Sequence, residues 1–215
     1  MKLYGYRNGR TLRALWALEE AGLGYELVEV DVTKGEGQAA WFRQLNPFGK
    51  VPVLVDGDLV LSESAAICQY VAEQRPASRL MPAPGTAENA HCQQWISFLL
   101  TEVDAPLWTI AKHRFALPAE RRVPAVVDTA VWELQRALQL LDEALAGRDF
   151  LAGSTLTVAD IIAGHCLAWA KSARIDVNGE HLASYAQALG NRPAMLRASE
   201  RARSGAGHSV DDGLK

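Results

Sequence analysis

The stretch between residues 76 and 86 constrains the fold of this 215-residue chain more than any other feature. It holds three prolines and a glycine, a composition typical of a linker between domains. Apolar runs that suit short strands occur before it, whereas after it the apolar residues recur only at helical spacing. The sequence therefore predicts an α/β domain at 1–75, an all-α domain at 87–203 and a polar tail at 204–215.

The first domain is predicted to be a βαβ unit followed by a β-hairpin and a helix, which gives a mixed four-stranded sheet. The two strands of the βαβ unit are expected to be parallel, because a helix crosses between them. Asp56 and Gly57, between two apolar runs, predict a two-residue hairpin turn. The predicted elements are strands at 2–6, 25–32, 51–55 and 59–61, helices at 11–21, 39–45 and 64–73, and a loop at 34–38.

The second domain is predicted to be helical throughout. Its longest predicted helix, at 88–115, is expected to bend near Pro106, because proline removes a backbone hydrogen bond. The next helix, at 118–146, carries an apolar stripe at steps of three and four residues. Further helices are predicted at 158–171, 182–189 and 193–203. The stripe consists of Val131, Leu134, Leu138, Leu141 and Leu145.

Charge and cysteine usage disfavour several classes of function. The formal net charge is -3, which argues against nucleic acid as the main partner, since phosphate binding requires clustered excess Lys and Arg. No apolar run suits a signal peptide or a membrane span, so we expect a cytoplasmic protein with no membrane partner. The cysteines Cys68, Cys92 and Cys166 lack metal-ligand spacing, so we expect free thiols in the core and no bound metal.

Val51-Pro52, at the head of a predicted strand, is the first of two features that suggest a ligand site. Proline has no N–H with which to continue a strand ladder. With a cis Pro52, the N–H and C=O of Val51 would point into a cleft, where an extended peptide could pair with them. An ordinary proline at the edge of a sheet is the alternative interpretation.

Glu63-Ser64, at the start of a predicted helix, is the second feature. A helix N-terminus offers unpaired N–H groups and a partial positive charge, which suit a carboxylate. Ser64 adds a hydroxyl donor and Glu63 adds an anion for an amino group. The two residues could therefore hold the amine and the carboxylate of one amino acid, although a simple N-cap explains them as well.

The run from Asn46 to Pro52, followed by Glu63 to Ile67 and by Tyr70, resembles the glutathione-binding half of the cytosolic glutathione transferases. The layout of the whole chain is similar to that of this family. The resemblance implies a thioredoxin-like α/β domain that precedes an all-helical domain. It also implies glutathione as the co-substrate.

The same resemblance assigns roles to individual residues. The backbone of Val51 would hold the cysteinyl part of glutathione, and Glu63 with Ser64 would hold the γ-glutamyl head. Lys50 would face the glycyl carboxylate. The glutathione-binding residues that the resemblance implies are Gln38, Lys50, Val51, Pro52, Glu63 and Ser64.

Enzymes of this family lower the pKa of the glutathione thiol with a residue near the end of the first strand, so that the thiolate attacks an electrophile. Subfamilies use Tyr, Ser or Cys, and this segment has neither Ser nor Cys. We rank Asn8 first as the thiol neighbour, then Arg10, then Tyr4 and Thr11. Asn8-Gly9 also resembles a pair found in bacterial members that act on glutathione disulfide. The alternatives are a turn for Asn8-Gly9, a core position for Tyr4, and solvated or paired helix positions for Arg10 and Arg13.

Two further sets of residues follow from the resemblance. Thr157 and Asp160 resemble the family's buried N-capping box, in which the aspartate reaches back to the threonine N–H and has a structural role. The electrophile site is expected between the two domains, against the long helix. Trp108, His113 and Phe115 could line it, although His113 also suits a bridging role at the surface.

Three functions are compatible with these patterns. The first is a glutathione transferase that conjugates a small hydrophobic electrophile in detoxification. The second, favoured by Asn8-Gly9, is a glutathione-dependent disulfide reductase. The third is a non-catalytic protein of the same fold that binds glutathione or other ligands. The resemblance also implies a homodimer, in which Glu102 or Asp104 could reach the glutathione amine of the partner subunit.

Overall fold

The structure is a computed structural model that describes residues 1–7 and 9–204. The chain forms two compact units. One unit contains Met1–Ser78 together with the segment that begins at Pro193, and the other contains Arg79–Arg192. Within the described ranges, every strand belongs to the first unit.

A four-stranded sheet in the order β2-β1-β3-β4 forms the centre of the first unit. The strand β1 (Lys2–Gly5) is parallel to β2 (Glu26–Glu29), as the crossover helix between them requires. The strand β3 (Val53–Asp56) is antiparallel to both β1 and β4 (Leu59–Ser62). The sheet is therefore mixed, and it confirms the predicted fold class, a thioredoxin-like α/β domain followed by an all-helical domain.

The turn between β3 and β4 lies one residue later than the sequence predicts. Asp56 still pairs with Leu59, so the two loop residues are Gly57 and Asp58. Gly57 has a φ of 59°, the positive value that two-residue hairpin loops require. The predicted turn at Asp56-Gly57 is wrong, because the glycine occupies the first loop position rather than the second.

Two strands are shorter than the sequence predicts. The strand β2 ends at Glu29, because the Asp31 side chain accepts the Thr33 N–H at 2.9 Å and starts a 3₁₀ turn. The strand β3 begins at Val53, because Pro52 has no N–H for the ladder. The helical elements of this unit are α1 (Thr11–Ala21), α2 (Ala40–Leu45), α3 (Ser64–Gln74), and the 3₁₀ turns Val32–Lys34, Glu36–Gln38 and Pro76–Ser78.

The last helix, Pro193–Ser204, packs on α1 in the first unit, although the sequence analysis groups it with the helical domain. Its small buried residues, which recur every four positions, allow the two helices to approach closely. Arg197 Nε donates to Glu19 Oε2 at 2.7 Å, and Tyr25 donates its hydroxyl to the other carboxylate oxygen at 2.8 Å. The small buried residues are Ala194, Ala198 and Ala202.

The long helix of the second unit is interrupted by two π-helical segments. It runs as α4 (Ala87–Phe98), a π segment at Leu99–Asp104, α5 (Ala105–Ala111) and a second π segment at Lys112–Ala116. Pro106 lies in the first turn of α5. A proline cannot donate the usual backbone bond, and the wider π turn that precedes it accommodates this loss.

The helix α6 (Pro124–Ala144) starts six residues later than predicted, and the start at 118 is wrong. Val123 has extended backbone angles, φ -120° and ψ 99°, because the ring of the following Pro124 disfavours a helical residue before it. The preceding residues form a 3₁₀ turn at Ala119–Arg121. The apolar stripe packs inward, with Leu134, Leu138, Leu141 and Leu145 buried and Val131 partly buried.

The remaining helices of this unit are α7 (Val158–Ser172) and α8 (Glu180–Gly190), which pack against each other. The helix Pro193–Ser204 of the first unit is labelled α9. Across the described parts of the chain, no helix has the length and apolar character needed to cross a membrane.

Candidate functional site

The two predicted ligand-binding features lie at the same end of the β3-β4 hairpin. The antiparallel pairing of the two strands ends where Val53 faces Ser62. Val51 lies two residues before this pair, and Ser64 lies two residues after it. The hairpin therefore brings the Val51-Pro52 segment and the start of α3 to one edge of the first unit.

The backbone of Val51 is available for pairing with another chain. The Val51-Pro52 peptide bond is cis. Among the residues that the structure describes, neither the N–H nor the C=O of Val51 has a hydrogen-bond partner. The Val51 side chain packs against the buried cluster of Val30, Phe42 and Val53, which fixes its position. This is the arrangement needed to add a short extended peptide beside the segment.

Asn46 holds the loop that leads to Val51, and the sequence analysis gave it no role. Its side chain is buried, donates from Nδ2 to the Lys50 carbonyl at 2.7 Å and accepts the Phe48 N–H on Oδ1 at 3.1 Å. The Asn46 carbonyl also accepts the Gly49 N–H at 2.8 Å. An asparagine at a tight turn commonly bonds the backbone two residues on, and this pattern was the available signal.

The start of α3 has an unusual backbone conformation. Glu63, an exposed residue, has φ 67° and ψ 112°, a region that costs an L-residue about 1 kcal/mol or more. No side chain caps the helix at this position. The first N–H groups of an α-helix have no acceptor within the helix, so this end is suited to an anion.

Ser64 is 4% exposed and lies over a buried arginine. Arg13 Nη1 donates to Ser64 Oγ at 3.4 Å, a long hydrogen bond, and the Arg13 side chain is fully buried in α1. The sequence suggests only a solvated or paired helix position for Arg13, and the solvated position is wrong because the side chain is fully buried. The available signal was a charged residue between apolar neighbours on a helix whose other residues at that point all suit the core.

Gln38 and Lys50 lie on two loops whose backbones touch. A side chain on Gly37 would collide with the Gly49 carbonyl, and one on Gly49 would collide with Gly37 and with the Gln38 amide. Gly49 also has a φ of 65°, which favours glycine. The contact brings Gln38 next to the Asn46-to-Lys50 loop, and both Gln38 and Lys50 are exposed.

The candidates for thiol activation differ in how the structure uses them. Tyr4 packs its ring against Trp41 and Phe42, with centroid distances of 6.2 and 6.4 Å. Thr11 is buried, and its Oγ1 accepts the Tyr6 N–H at 3.1 Å, which ties the start of α1 to the end of β1. Both residues therefore have a packing role.

Of the first two candidates, the structure describes only Arg10. Asn8 lies outside the described residues. Arg10 precedes α1 with helical backbone angles and is partly exposed. Its guanidinium places positive charge near the start of that helix, where it adds to the partial charge of the helix end.

The three residues predicted for the electrophile site lie in the second half of the long helix. Trp108 is partly buried in α5, and Phe115 is 67% exposed in the second π segment. His113 Nδ1 accepts the Val123 N–H at 3.0 Å, so this ring nitrogen holds the chain before α6. The bond gives His113 a bridging role within its unit.

Asp160 is the centre of a buried hydrogen-bond network at the start of α7. Its Oδ2 accepts the Thr157 N–H at 2.7 Å and the Thr157 hydroxyl at 2.8 Å. Its Oδ1 accepts the Leu151 N–H at 2.9 Å and the Tyr185 hydroxyl at 2.7 Å. Burial raises the pKa of Asp160, and the bonds from Leu151 and Tyr185 act in the opposite direction. The sequence analysis missed Tyr185, which comes from a separate helix.

Neither a metal site nor a reactive thiol accompanies these residues in the described ranges. No group of three or more His, Cys, Asp or Glu residues there could hold a metal ion. Cys68, Cys92 and Cys166 are buried, and none of them forms a disulfide. Burial raises the pKa of the Cys68 thiol to about 12, which keeps it in the unreactive thiol form.

Sequence models of one protein family match both units. The model of the glutathione S-transferase N-terminal domain matches residues 1–73. The model of the glutathione S-transferase C-terminal domain matches residues 105–193.

Individual proteins are similar over nearly the whole chain. Glutathione S-transferase 4 of Zea mays is 33% identical over 213 residues, which cover 96% of this chain and 95% of that protein. A sphingomonad glutathione S-transferase complexed with glutathione has a TM-score of 0.81 and 32% identity, covering 93% of this chain and 98% of the other. A glutathione transferase of Methylococcus capsulatus strain Bath has a TM-score of 0.85 and 31% identity, covering 94% and 98%.

Proposed function

Because the chain belongs to the glutathione S-transferase family of enzymes, we propose that it binds glutathione at the hairpin edge of its first unit and transfers the glutathionyl group to a small hydrophobic electrophile. The observation that carries this proposal is the juxtaposition of the unpaired Val51 backbone with the uncapped start of α3. Glutathione is an extended peptide with a free amino-acid head, and these two features suit its two parts.

Each residue has a role that follows from its chemistry. The Val51 N–H and C=O pair with the cysteinyl residue, and this orients the thiol. The free N–H groups of α3 and the Ser64 hydroxyl bind the glutamyl α-carboxylate, while the exposed Glu63 carboxylate attracts the amine. Lys50 and Gln38 bind the glycyl carboxylate, because they lie together on the loops that meet at Gly49.

The thiol must ionise before it reacts, since the thiolate is the nucleophile. We propose Asn8 as the hydrogen-bond donor to the thiolate, with Arg10 supplying positive charge at the start of α1. The packing of Tyr4 with Trp41 and Phe42 supports a structural role for this tyrosine rather than the donor role.

For the electrophile, we propose contacts from Trp108 and Phe115. Phe115 is the more exposed of the two and offers an apolar surface. His113, whose Nδ1 accepts a backbone bond, orients the segment that carries Phe115.

A disulfide reductase is the second candidate, and the Asn8-Gly9 pair favours it. In that reaction the thiolate of one glutathione attacks a mixed glutathione disulfide, so that glutathione disulfide forms and the other thiol is released. The cysteines Cys68, Cys92 and Cys166 are buried, so all electrons would come from glutathione.

One experiment separates these functions. The purified protein is titrated with glutathione by calorimetry, and it is then assayed with glutathione plus a chlorinated nitrobenzene, from which the thiolate displaces chloride. A parallel assay uses glutathione plus a mixed glutathione disulfide. The proposal predicts binding and activity in the first assay. Activity in the disulfide assay alone would establish the reductase, and binding without activity in either assay would indicate a ligand-binding protein.

We also propose that the chain forms a homodimer. If a residue of the long helix reaches the partner's glutathione, the exposed Glu102 suits this role better than the buried Asp104. Light scattering after gel filtration measures the mass, and a monomer at micromolar concentration would exclude the dimer. The cytoplasmic location, the role in detoxification and the absence of a nucleic-acid or membrane partner remain predictions from the sequence.

A further inference from the structure

Arg13 is a fully buried charged residue that the proposed binding roles do not use. It lies in α1, where its neighbours Leu12, Ala14 and Leu15 are also buried. An arginine stays protonated in proteins, so its N–H groups need hydrogen-bond acceptors inside the core. One of these acceptors is the side chain of Ser64.

The guanidinium faces the first turn of α3. Its Nη1 donates to Ser64 Oγ at 3.4 Å, and Ser64 is the first residue of that helix. Cys68, one turn further along α3, is also close enough to respond to the charge. Burial raises the pKa of the Cys68 thiol, and the positive charge of Arg13 acts in the opposite direction. Arg13 therefore lies beneath the helix start, on the side away from solvent.

The chemistry of the two side chains fixes the direction of their hydrogen bond. Arginine has N–H donors and no acceptor, so Ser64 Oγ must accept from Arg13. A serine hydroxyl has one hydrogen to donate, and that hydrogen is then directed away from Arg13.

We propose that Arg13 is a positioning residue that orients the Ser64 hydroxyl as a donor to the α-carboxylate of the glutamyl residue of glutathione. Arg13 itself does not touch the ligand. The inference rests on the proposed function, since it requires glutathione at the hairpin edge. In this proposal, the Arg13–Ser64 pair makes the site selective for the glutamyl α-carboxylate. It does not determine how tightly the rest of the peptide binds.

The test compares two ligands that differ only in the carboxylate. Glutathione and the tripeptide 4-aminobutanoyl-cysteinyl-glycine share the amine, thiol and glycyl groups, but the second lacks the glutamyl α-carboxylate. The carboxylate preference is the dissociation constant of the second ligand divided by that of glutathione, both from calorimetry. We expect Arg13→Met to lower this preference about tenfold or more, as expected for loss of a charge-assisted hydrogen bond.

Three further comparisons test whether a loss of carboxylate preference is specific to the Arg13–Ser64 pair. Arg75→Met removes an exposed arginine from the same unit and should leave the preference within about twofold of the wild type, as a surface charge does. Arg13→Lys keeps the charge and should retain part of the preference. In the Ser64→Ala background, Arg13→Met should lower the preference by less than about twofold, because coupled residues are not additive.

The outcomes distinguish failure of the proposed function from failure of the role proposed for Arg13. If the wild type binds neither ligand, the proposed function fails. If the wild type prefers glutathione and Arg13→Met weakens both ligands equally, Arg13 is merely structural and this inference fails alone. A full tenfold loss in the Ser64→Ala background would also overturn it, because Arg13 would then act without Ser64. Should Arg13→Met not fold, Arg13→Lys decides in its place: an unchanged preference, or an equal loss for both ligands, overturns the inference.

Discussion

The starts of α7 and α3 both carry sequence signals for a helix N-cap. Side chains of the chain itself accept backbone N–H groups at the start of α7, whereas no side chain among the described residues does so at the start of α3. At α7, the Asp160 carboxylate accepts the Thr157 N–H and three further hydrogen bonds in a fully buried network. At α3, no side chain caps the helix, and Glu63 adopts a positive φ. The Arg13 guanidinium donates to the Ser64 hydroxyl from the buried side of this helix start.

The difference separates a structural helix start from one that is suited to a ligand. A capped start gains stability because its own side chains satisfy the backbone donors. An uncapped start forgoes that stability and retains both donors and positive charge for an anion from outside the chain. Substitutions at α7 should therefore change the stability of the fold, whereas substitutions at α3 should change binding.

The largest effect is expected at Asp160. Asp160→Ala leaves the buried N–H groups of Leu151 and Thr157 and the Tyr185 hydroxyl without an acceptor, and it should lower the free energy of unfolding by about 3 kcal/mol or more. Urea unfolding followed by circular dichroism measures the loss. The matched control is Asp128→Ala on the exposed face of α6, for which less than about 0.5 kcal/mol is expected. Equal losses at both positions would contradict the structural role.

Ser64→Ala should have the next largest effect, on binding. Removal of the hydroxyl should weaken glutathione about tenfold or more in calorimetry, because a donor to a charged carboxylate is lost. The free energy of unfolding should change by less than about 1 kcal/mol. The control is Ser97→Ala, whose hydroxyl is exposed on α4. If Ser64→Ala changed stability but not affinity, the start of α3 would be a structural cap after all.

Thr157→Ala tests the opposite half of the comparison. It removes one donor to Asp160 while leaving the carboxylate in place, so we expect a loss of about 1 kcal/mol in unfolding free energy. Glutathione affinity, measured on the folded protein, should stay within about twofold of the wild type. An affinity loss comparable to that of Ser64→Ala would remove the distinction between the two helix starts.

The smallest effect concerns the backbone at Glu63. Both Glu63→Ala and Glu63→Gly remove the carboxylate, and both should weaken glutathione equally. Only glycine adopts a φ of 67° without a steric penalty, so the glycine variant should be more stable than the alanine variant by about 1 kcal/mol. Thermal unfolding of the two variants measures the difference. A less stable glycine variant would show that the position carries no steric penalty.

Sequence patterns predicted those features of the fold that depend on residues close together in the chain. The alternation of strand and helix signals predicted the mixed sheet, and the apolar stripe from Leu134 to Leu145 predicted the buried face of α6. Residue chemistry singled out Val51-Pro52 and Glu63-Ser64, the resemblance assigned them to glutathione, and the hairpin register brings them to one edge. The two-residue turn was misplaced, because a composition cue does not show which loop position the glycine takes.

The features that escaped prediction depend on partners far apart in the chain. Arg13 and Ser64 are 51 residues apart, and Tyr185 reaches Asp160 across 25 residues. Helical periodicity also places Pro193–Ser204 among the other helices, although the helix packs on α1. A pattern within one segment does not reveal which distant surface will cover it.

The packing of α9 on α1 has a consequence for the order in which the protein can fold during synthesis. The bond between Arg197 and Glu19 spans 178 residues, so the first unit needs both α1 and α9. The second unit is continuous from Arg79 to Arg192 and needs only its own residues. A ribosome that has just translated Arg192 would thus carry a chain in which the second unit is fully specified while one face of α1 has not yet been covered. Limited proteolysis of chains arrested at that point, with cleavage first in α1, would reveal this delay.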